Sequence, residues 1–186
     1  MNATLYFDDL QVGDSWTSRA RTILESDVSN FAGLTGDYDP LHVDREFAKQ
    51  TPFGRPIAHG LFGMSLVAGL GSHFPMVHTI AFVAVRNWEF LRPAYVGDTV
   101  HAVSTIVELT DAGRRRGNVV WHRRLVNQRG EIVQQGLFET IVAKKVAAAK
   151  SRQGTAAIPL PPIPEKPKVR RRSRAKEIAP SKDHST

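Results

Sequence analysis

The distribution of apolar side chains divides the chain into a helix-rich first part and a strand-rich second part. After an opening segment, Phe7-Asp8-Asp9-Leu10-Gln11-Val12-Gly13-Asp14, closed by a Gly-Asp turn, Trp16 to Leu24 mixes polar and apolar positions as a strand does. Val28, Phe31, Ala32 and Leu34 fall at helical spacing, and Ser26 or Asp27 is placed to cap the helix they predict. Gly33 to His42, with Gly36, Asp37, Asp39 and Pro40, reads as a loop. Asp44 is the expected cap of a further short helix running through Phe47 and ended by Thr51-Pro52. Gly60 to Gly71 is the most apolar stretch and carries no charge. It is too short to cross a bilayer and suits a helix buried on all sides; its length and scarcity of β-branched residues argue against a buried strand. From Thr79 onward the pattern predicts strands near 79–92, 98–110, 117–127 and 131–144. Pro93…Gly97-Asp98, Asp111-Ala112-Gly113 and Gln128-Arg129-Gly130 separate them, and short turns between consecutive strands predict antiparallel pairing. The expected architecture is α+β, a curved antiparallel sheet wrapped around one apolar helix.

Charge changes that picture at one end only. The chain has 186 residues and a net charge of +7, which invites a nucleic-acid reading. Residues 1–149 hold 15 Lys+Arg and 15 Asp+Glu, whereas 150–186 hold 10 and 3, so the tail carries the whole excess. That tail also holds six of the 11 prolines, and no aromatic residue follows Phe138. Such a composition cannot bury enough surface to offset chain ordering, so 147–186 is expected to be disordered. Its basic run within 166–176 is a candidate contact for a polyanion, against the plainer reading of a solubilising tail. Without aromatics it lacks the stacking platforms of a dedicated single-strand binder. The folded domain is then 1–146, neutral overall. Zero cysteine excludes disulfides, thiol nucleophiles and thiolate metal sites, and fits a reducing, cytoplasmic setting. The first residues have neither the basic start nor the apolar core of a signal peptide, and no stretch is long enough for a membrane span.

Two clusters carry candidate chemistry. In Thr35-Gly36-Asp37-Tyr38-Asp39-Pro40-Leu41-His42, a carboxylate (Asp37) and an imidazole (His42) flank a rigid proline turn. Held on one loop they can face a single water, one taking a proton while the other supplies one. Alone, that pair reads as an ordinary loop with Asp in a turn and His on the surface. Arg55-Pro56-Ile57-Ala58-His59-Gly60 leads into the apolar helix, whose free N–H groups form an electropositive site for an oxyanion, with Gly60 letting a ligand carbonyl come close. Its plain alternative is a loop-to-helix junction in which His59 is a satisfied structural histidine.

Taken in order, these clusters resemble the MaoC-like dehydratases, the hydratase-2 group of (R)-specific enoyl-CoA hydratases. The resemblance covers roughly residues 6–144. It includes the opening segment Phe7–Asp14, Gly36-Asp37-Tyr38-Asp39-Pro40-Leu41-His42-Val43-Asp44, the Arg55–Gly60 run, and Phe90-Leu91-Arg92-Pro93-Ala94-Tyr95-Val96-Gly97-Asp98. The resemblance implies a hot-dog fold, usually a homodimer with joined sheets, with Asp37 and His42 as catalytic dyad and the Gly60 N–H as oxyanion donor. It implies a trans-2-enoyl-CoA substrate hydrated at C3, coenzyme A entering only as part of that substrate, and no metal or redox cofactor. His59, Leu61 and Ser65 are then candidate substrate-binding residues; for Ser65, helix packing is the alternative. Met64, Ala68 and Phe62 either shape the acyl tunnel or simply pack. Arg114, in the Arg114-Arg115-Arg116 turn, would meet the coenzyme A phosphates unless it is only an exposed hairpin tip. One departure from the family pattern is Asp39, where Asn is usual; a second carboxylate near Asp37 could alter the pH optimum, change the substrate, or mark an inactive relative.

The leading expectation is therefore a hydro-lyase acting on acyl-CoA. A hot-dog acyl-CoA thioesterase is the enzymatic alternative, disfavoured because thioesterases usually place a carboxylate on the central helix and Leu61 to Leu70 contains no acid. A non-catalytic acyl-CoA-binding domain targeted through its tail is the remaining alternative.

Overall fold

The computed structural model describes residues 4–145. The domain boundary expected at 146, the tail 147–186 and its basic run lie outside those residues. After a single 3-10 turn at Phe7–Asp9, the elements are β1 (Ser15–Thr17), β2 (Arg21–Thr22), α1 (Glu25–Thr35), α2 (Pro40–Val43), α3 (Arg45–Lys49), α4 (Gly60–Gly71), β3 (Thr79–Phe90), β4 (Thr99–Asp111), β5 (Arg116–Asn127) and β6 (Ile132–Ala143).

One antiparallel sheet in the order β1-β4-β5-β6-β3, with β2 also on β4, curves around α4. This is the hot-dog arrangement the sequence predicts. Alternate residues of β5, among them Val119, Trp121 and Leu125, point inward to meet Phe62, Leu66 and Val67 of α4 and Val133 and Phe138 of β6 in one core. Period-two burial on β4, β5 and β6 is the physical source of the strand signal. Among the described residues no helix is long and apolar enough to cross a membrane.

The structure corrects the expected layout in several places. The first strand is broken: the Ser18 hydroxyl accepts the Ala102 N–H (2.9 Å), so a side chain takes over a ladder bond between β1 and β2. The cap of α1 is Leu24, not Ser26 or Asp27. Asp27 stands in the first turn, where its carboxylate accepts the Leu24 N–H at 2.8 Å. Leu34 is 83% exposed and is no core position. The expected loop at Gly33–His42 is shorter than its residue types suggest. Helix α1 runs to Thr35, Gly36 ends it at φ 79°, and Asp39 caps α2 by accepting the Leu41 N–H at 2.9 Å. Helix α4 has the expected bounds but is not buried all round; Leu61, Ser65 and Gly69 form an exposed stripe at four-residue spacing, on the side away from the sheet.

The expectation that consecutive strands are neighbours fails for β3 and β4. The segment Leu91–Asp98 between them closes no hairpin; Ala94 and Tyr95 pair instead with Ala58 and Ile57, through an Ala58 N–H to Ala94 carbonyl bond of 2.7 Å. β3 thus lies beside β6 at one sheet edge. The loop that follows it seats the residues just before α4.

Candidate active site

Four elements converge near the start of α4. Asp37 follows the left-handed Gly36 that ends α1, and its exposed carboxylate accepts the Asp39 N–H at 3.4 Å. His42 sits in the last turn of α2, half-buried, with Nδ1 2.7 Å from the Ile57 carbonyl. A carbonyl only accepts, so Nδ1 carries the proton and a neutral His42 keeps its Nε2 lone pair free. His59 is 2% exposed; its Nε2 donates to the Asp37 carbonyl at 2.9 Å, leaving Nδ1 buried without a partner. The rings of His42 and His59 stack with centroids 3.8 Å apart, and Phe31 tilts against His59 at 5.1 Å. One polar atom each from Asp37, His42 and His59 lies within 4.8 Å of the others.

Beside this trio begins α4. His59 makes no side-chain cap, and the Gly60 N–H has no protein acceptor among the described residues. The first-turn amides therefore face outward at the electropositive helix end. A Cβ on Gly60 would come within 2.9 Å of the Phe90 ring, so any side chain there would have to displace that ring. Gln134, buried on β6, holds the next peptide: its Nε2 donates to the Gly60 carbonyl at 3.0 Å while its Oε1 accepts from Trp88 Nε1 at 3.2 Å. Two cavities meet across Gly60 and Phe90. One of about 380 Å³ is lined by Phe31, Asp37, His59 and Leu61, the other, about 370 Å³, by His42, Ile57, Arg92 and Gln134.

The structure thus brings Asp37, His42, His59, Gly60 and Leu61 together. Ser65 is exposed, and its hydroxyl donates to the Leu61 carbonyl at 2.9 Å, turned back on its own helix. Arg114 lies in the β4–β5 turn, at the opposite end of the sheet. The strand between Gly117 and Leu125 spans ~26 Å at ~3.3 Å per residue, so within one chain Arg114 does not meet the Asp37–His42 cluster. Besides Arg92 in the second cavity, the basic groups near His42 are Arg45, Lys49 and Arg55, which line a third cavity of about 360 Å³ together with His42. Sequence reasoning missed Gln134 and Phe90 as partners of Gly60, and no local motif signals them. Asp39, the departure from the usual Asn, has a structural task in capping α2, which either residue type performs.

The two imidazole planes are tilted 29° to one another, and Nδ1 of His42 and Nε2 of His59 are each engaged by a backbone carbonyl.

The family model described as "MaoC like domain" matches residues 11–127. Over 112 residues, 60% of this chain and 69% of the relative, the sequence is 38% identical to a protein named 3-hydroxybutyryl-CoA dehydratase from Methylorubrum extorquens. It is likewise 38% identical, over 105 residues (56% of this chain, 71% of the relative), to one named (R)-specific enoyl-CoA hydratase from Rhodospirillum rubrum. The crystal structure of a MaoC-like dehydratase from Rhodospirillum rubrum superposes with a TM-score of 0.70 at 27% identity, covering 77% of this chain and 99% of that one. With the sheet, the central helix and the Asp37–His42–Gly60 cluster in place, the chain belongs to the MaoC-like domain family.

Proposed function

We propose that the protein is a hydro-lyase that adds water to a trans-2-enoyl-CoA to form the (R)-3-hydroxyacyl-CoA, or runs the reverse dehydration. The observation that carries this reading is the convergence of Asp37 and His42 beside the unpaired amides at the start of α4. A water held between the Asp37 carboxylate and His42 Nε2 loses one proton to Nε2 as its oxygen bonds to C3. The C2=C3 electron pair moves through C2 toward the thioester oxygen, where the Gly60 N–H stabilises the developing charge more strongly than it stabilises the substrate carbonyl. The His42 imidazolium then returns its proton to C2, so both additions occur on one face. Asp37 orients the water and stabilises the transient imidazolium; the steps so written call on side chains and backbone only. His59 is a positioning residue, bonded to the Asp37 carbonyl and stacked on His42. Leu61 lines the Asp37-side cavity and suits the acyl chain, and Ser65 stands one turn further along the exposed stripe of α4. For the phosphates of coenzyme A, Arg55 and Lys49 are better placed than Arg114.

The reading is tested with crotonyl-CoA, following loss of the conjugated enoyl thioester absorbance. Asp37→Asn and His42→Ala should each lower kcat by ~10²–10⁴, the usual contribution of a positioned acid or base, with unchanged far-UV circular dichroism. Near-normal rates in both variants, or release of free thiol in place of hydration, would sink it.

A further inference from the structure

Arg123 presents a problem that the dehydratase chemistry does not solve. It lies on the face of β5 that meets α4, 8% exposed, yet it forms no ion pair or hydrogen bond among the described residues. Its Nε and the Oγ of Ser104, which is opposite it on β4, are both buried without a partner. Ring faces of Trp121 and Phe138 lie 5.5 and 5.2 Å from the guanidinium carbon, and the C-terminal end of α4 is close by. These offset part of the cost of the buried charge but accept no directed N–H bond from it. Burial pushes the guanidinium down to about 10, with no nearby carboxylate acting against that shift.

A cavity of about 220 Å³ opens beside Arg123, walled by Ala68, Pro75, Val77, Phe82, Trp121 and Thr140. Thr140 Oγ1 accepts the Trp121 Nε1–H at 2.9 Å, which leaves its own hydroxyl hydrogen to donate. A Cβ at Gly71 would stand 2.6 Å from a guanidinium nitrogen and 3.3 Å from Ser104 Oγ, so the helix ends on a residue that leaves the fork room. The site is at the other end of α4 from Gly60, ~16 Å away at ~1.5 Å per residue. It is a separate place in the fold.

We propose that this cavity binds a short-chain carboxylate anion, with its oxygens on the terminal nitrogens of the Arg123 guanidinium and the Thr140 hydroxyl and its hydrocarbon against Val77, Phe82 and Trp121. A planar guanidinium matches a carboxylate in a bidentate pair, and the anion would supply the counter-charge that the buried Arg123 lacks among the described residues. The apolar walls select against inorganic phosphate, which offers them no contact.

Sodium butyrate, butyramide, inorganic phosphate and sodium chloride, matched in ionic strength, are titrated against the full chain while Tm and binding heat are recorded. Butyrate should raise Tm with concentration, phosphate should raise it less, and neutral butyramide should not raise it above the chloride baseline. Arg123→Met should weaken the butyrate Kd by about tenfold or more, the loss expected for hydrogen bonds to a charged group. Arg123→Lys, which keeps the charge and loses the planar fork, should weaken it by less, which keeps the test open if Arg123→Met does not fold. Asp37→Asn should leave butyrate binding unchanged, which separates this site from the proposed dehydratase centre. A wild-type Tm that answers butyrate no more than chloride overturns the site. An equal answer to phosphate or butyramide overturns the carboxylate assignment, and butyrate binding that depends on Asp37 overturns its location.

Discussion

His42 and His59 carry the same side chain with different hydrogen-bonding constraints. His42 gives its Nδ1–H to the Ile57 carbonyl and keeps Nε2 for the cavity, while His59 gives Nε2–H to the Asp37 carbonyl and buries its other nitrogen. Replacing His59 by Ala would free the Asp37 peptide and remove the ring beneath His42. We expect His59→Ala to lower kcat by ~10², the scale of an ångström of misplacement, with little change in KM. His59→Gln can restore the donor and should recover part of the loss. A KM defect without a kcat defect, or no rescue by Gln, would argue against positioning. The Asp37–His42 pair was legible in sequence because only four residues separate the two, across a proline-started helical turn. The His59 bond to Asp37 was not, since it spans 22 residues and depends on how α4 docks.

At the scale of elements, α1 shows how a local rule can be right in kind and displaced in detail. Asp27 acts in the first turn, accepting the Leu24 N–H and pairing with Arg21, while Leu24 occupies the cap position. Burial pushes its carboxyl pKa up, but the Leu24 N–H and the Arg21 guanidinium outweigh that and hold it below the ordinary 3.8. A depressed folded pKa contributes stability that is present above the unfolded value and is lost as pH falls through the folded one. Asp27→Asn keeps an acceptor but removes the charge. Its Tm deficit should be full at pH ~6 and shrink toward pH ~2, read by thermal melts across that range. A deficit independent of pH would assign the effect to packing. Helix α4 was legible to its end residues because an uncharged apolar run between glycines has few other fates. Its exposed stripe was not, because burial on the remaining side depends on what stands opposite it.

For the whole molecule, the sheet leaves β3 as a long edge strand with Val83 and Phe90 more than half exposed, and the α4 stripe open beside Leu61. Unpaired strand edges with apolar side chains are templates for another strand. The expected homodimer with joined sheets would cover this edge. Val83→Lys should then shift the protein from dimer to monomer in sedimentation or light-scattering measurements. A wild type that is monomeric at assay concentrations, or a variant that stays dimeric, would place the contact elsewhere or remove it.

The sequence by itself determined the strand-forming second half, the bounds of α4, and the two clusters around Asp37–His42 and His59–Gly60. Each rests on interactions within a few residues: alternation on a strand, an uncharged helical run, a proline turn. Only the tertiary structure decided that β3 leaves β4 for β6, that the following loop pairs with Ile57–Ala58, and that Phe90 and Gln134 reach Gly60. It also set Arg114 at the far end of the sheet and buried Arg123 without a counter-charge among the described residues. These outcomes depend on contacts between residues distant in the chain. Their energy comes from closing one sheet around one helix, and no local pattern encodes which side chains that closure brings face to face.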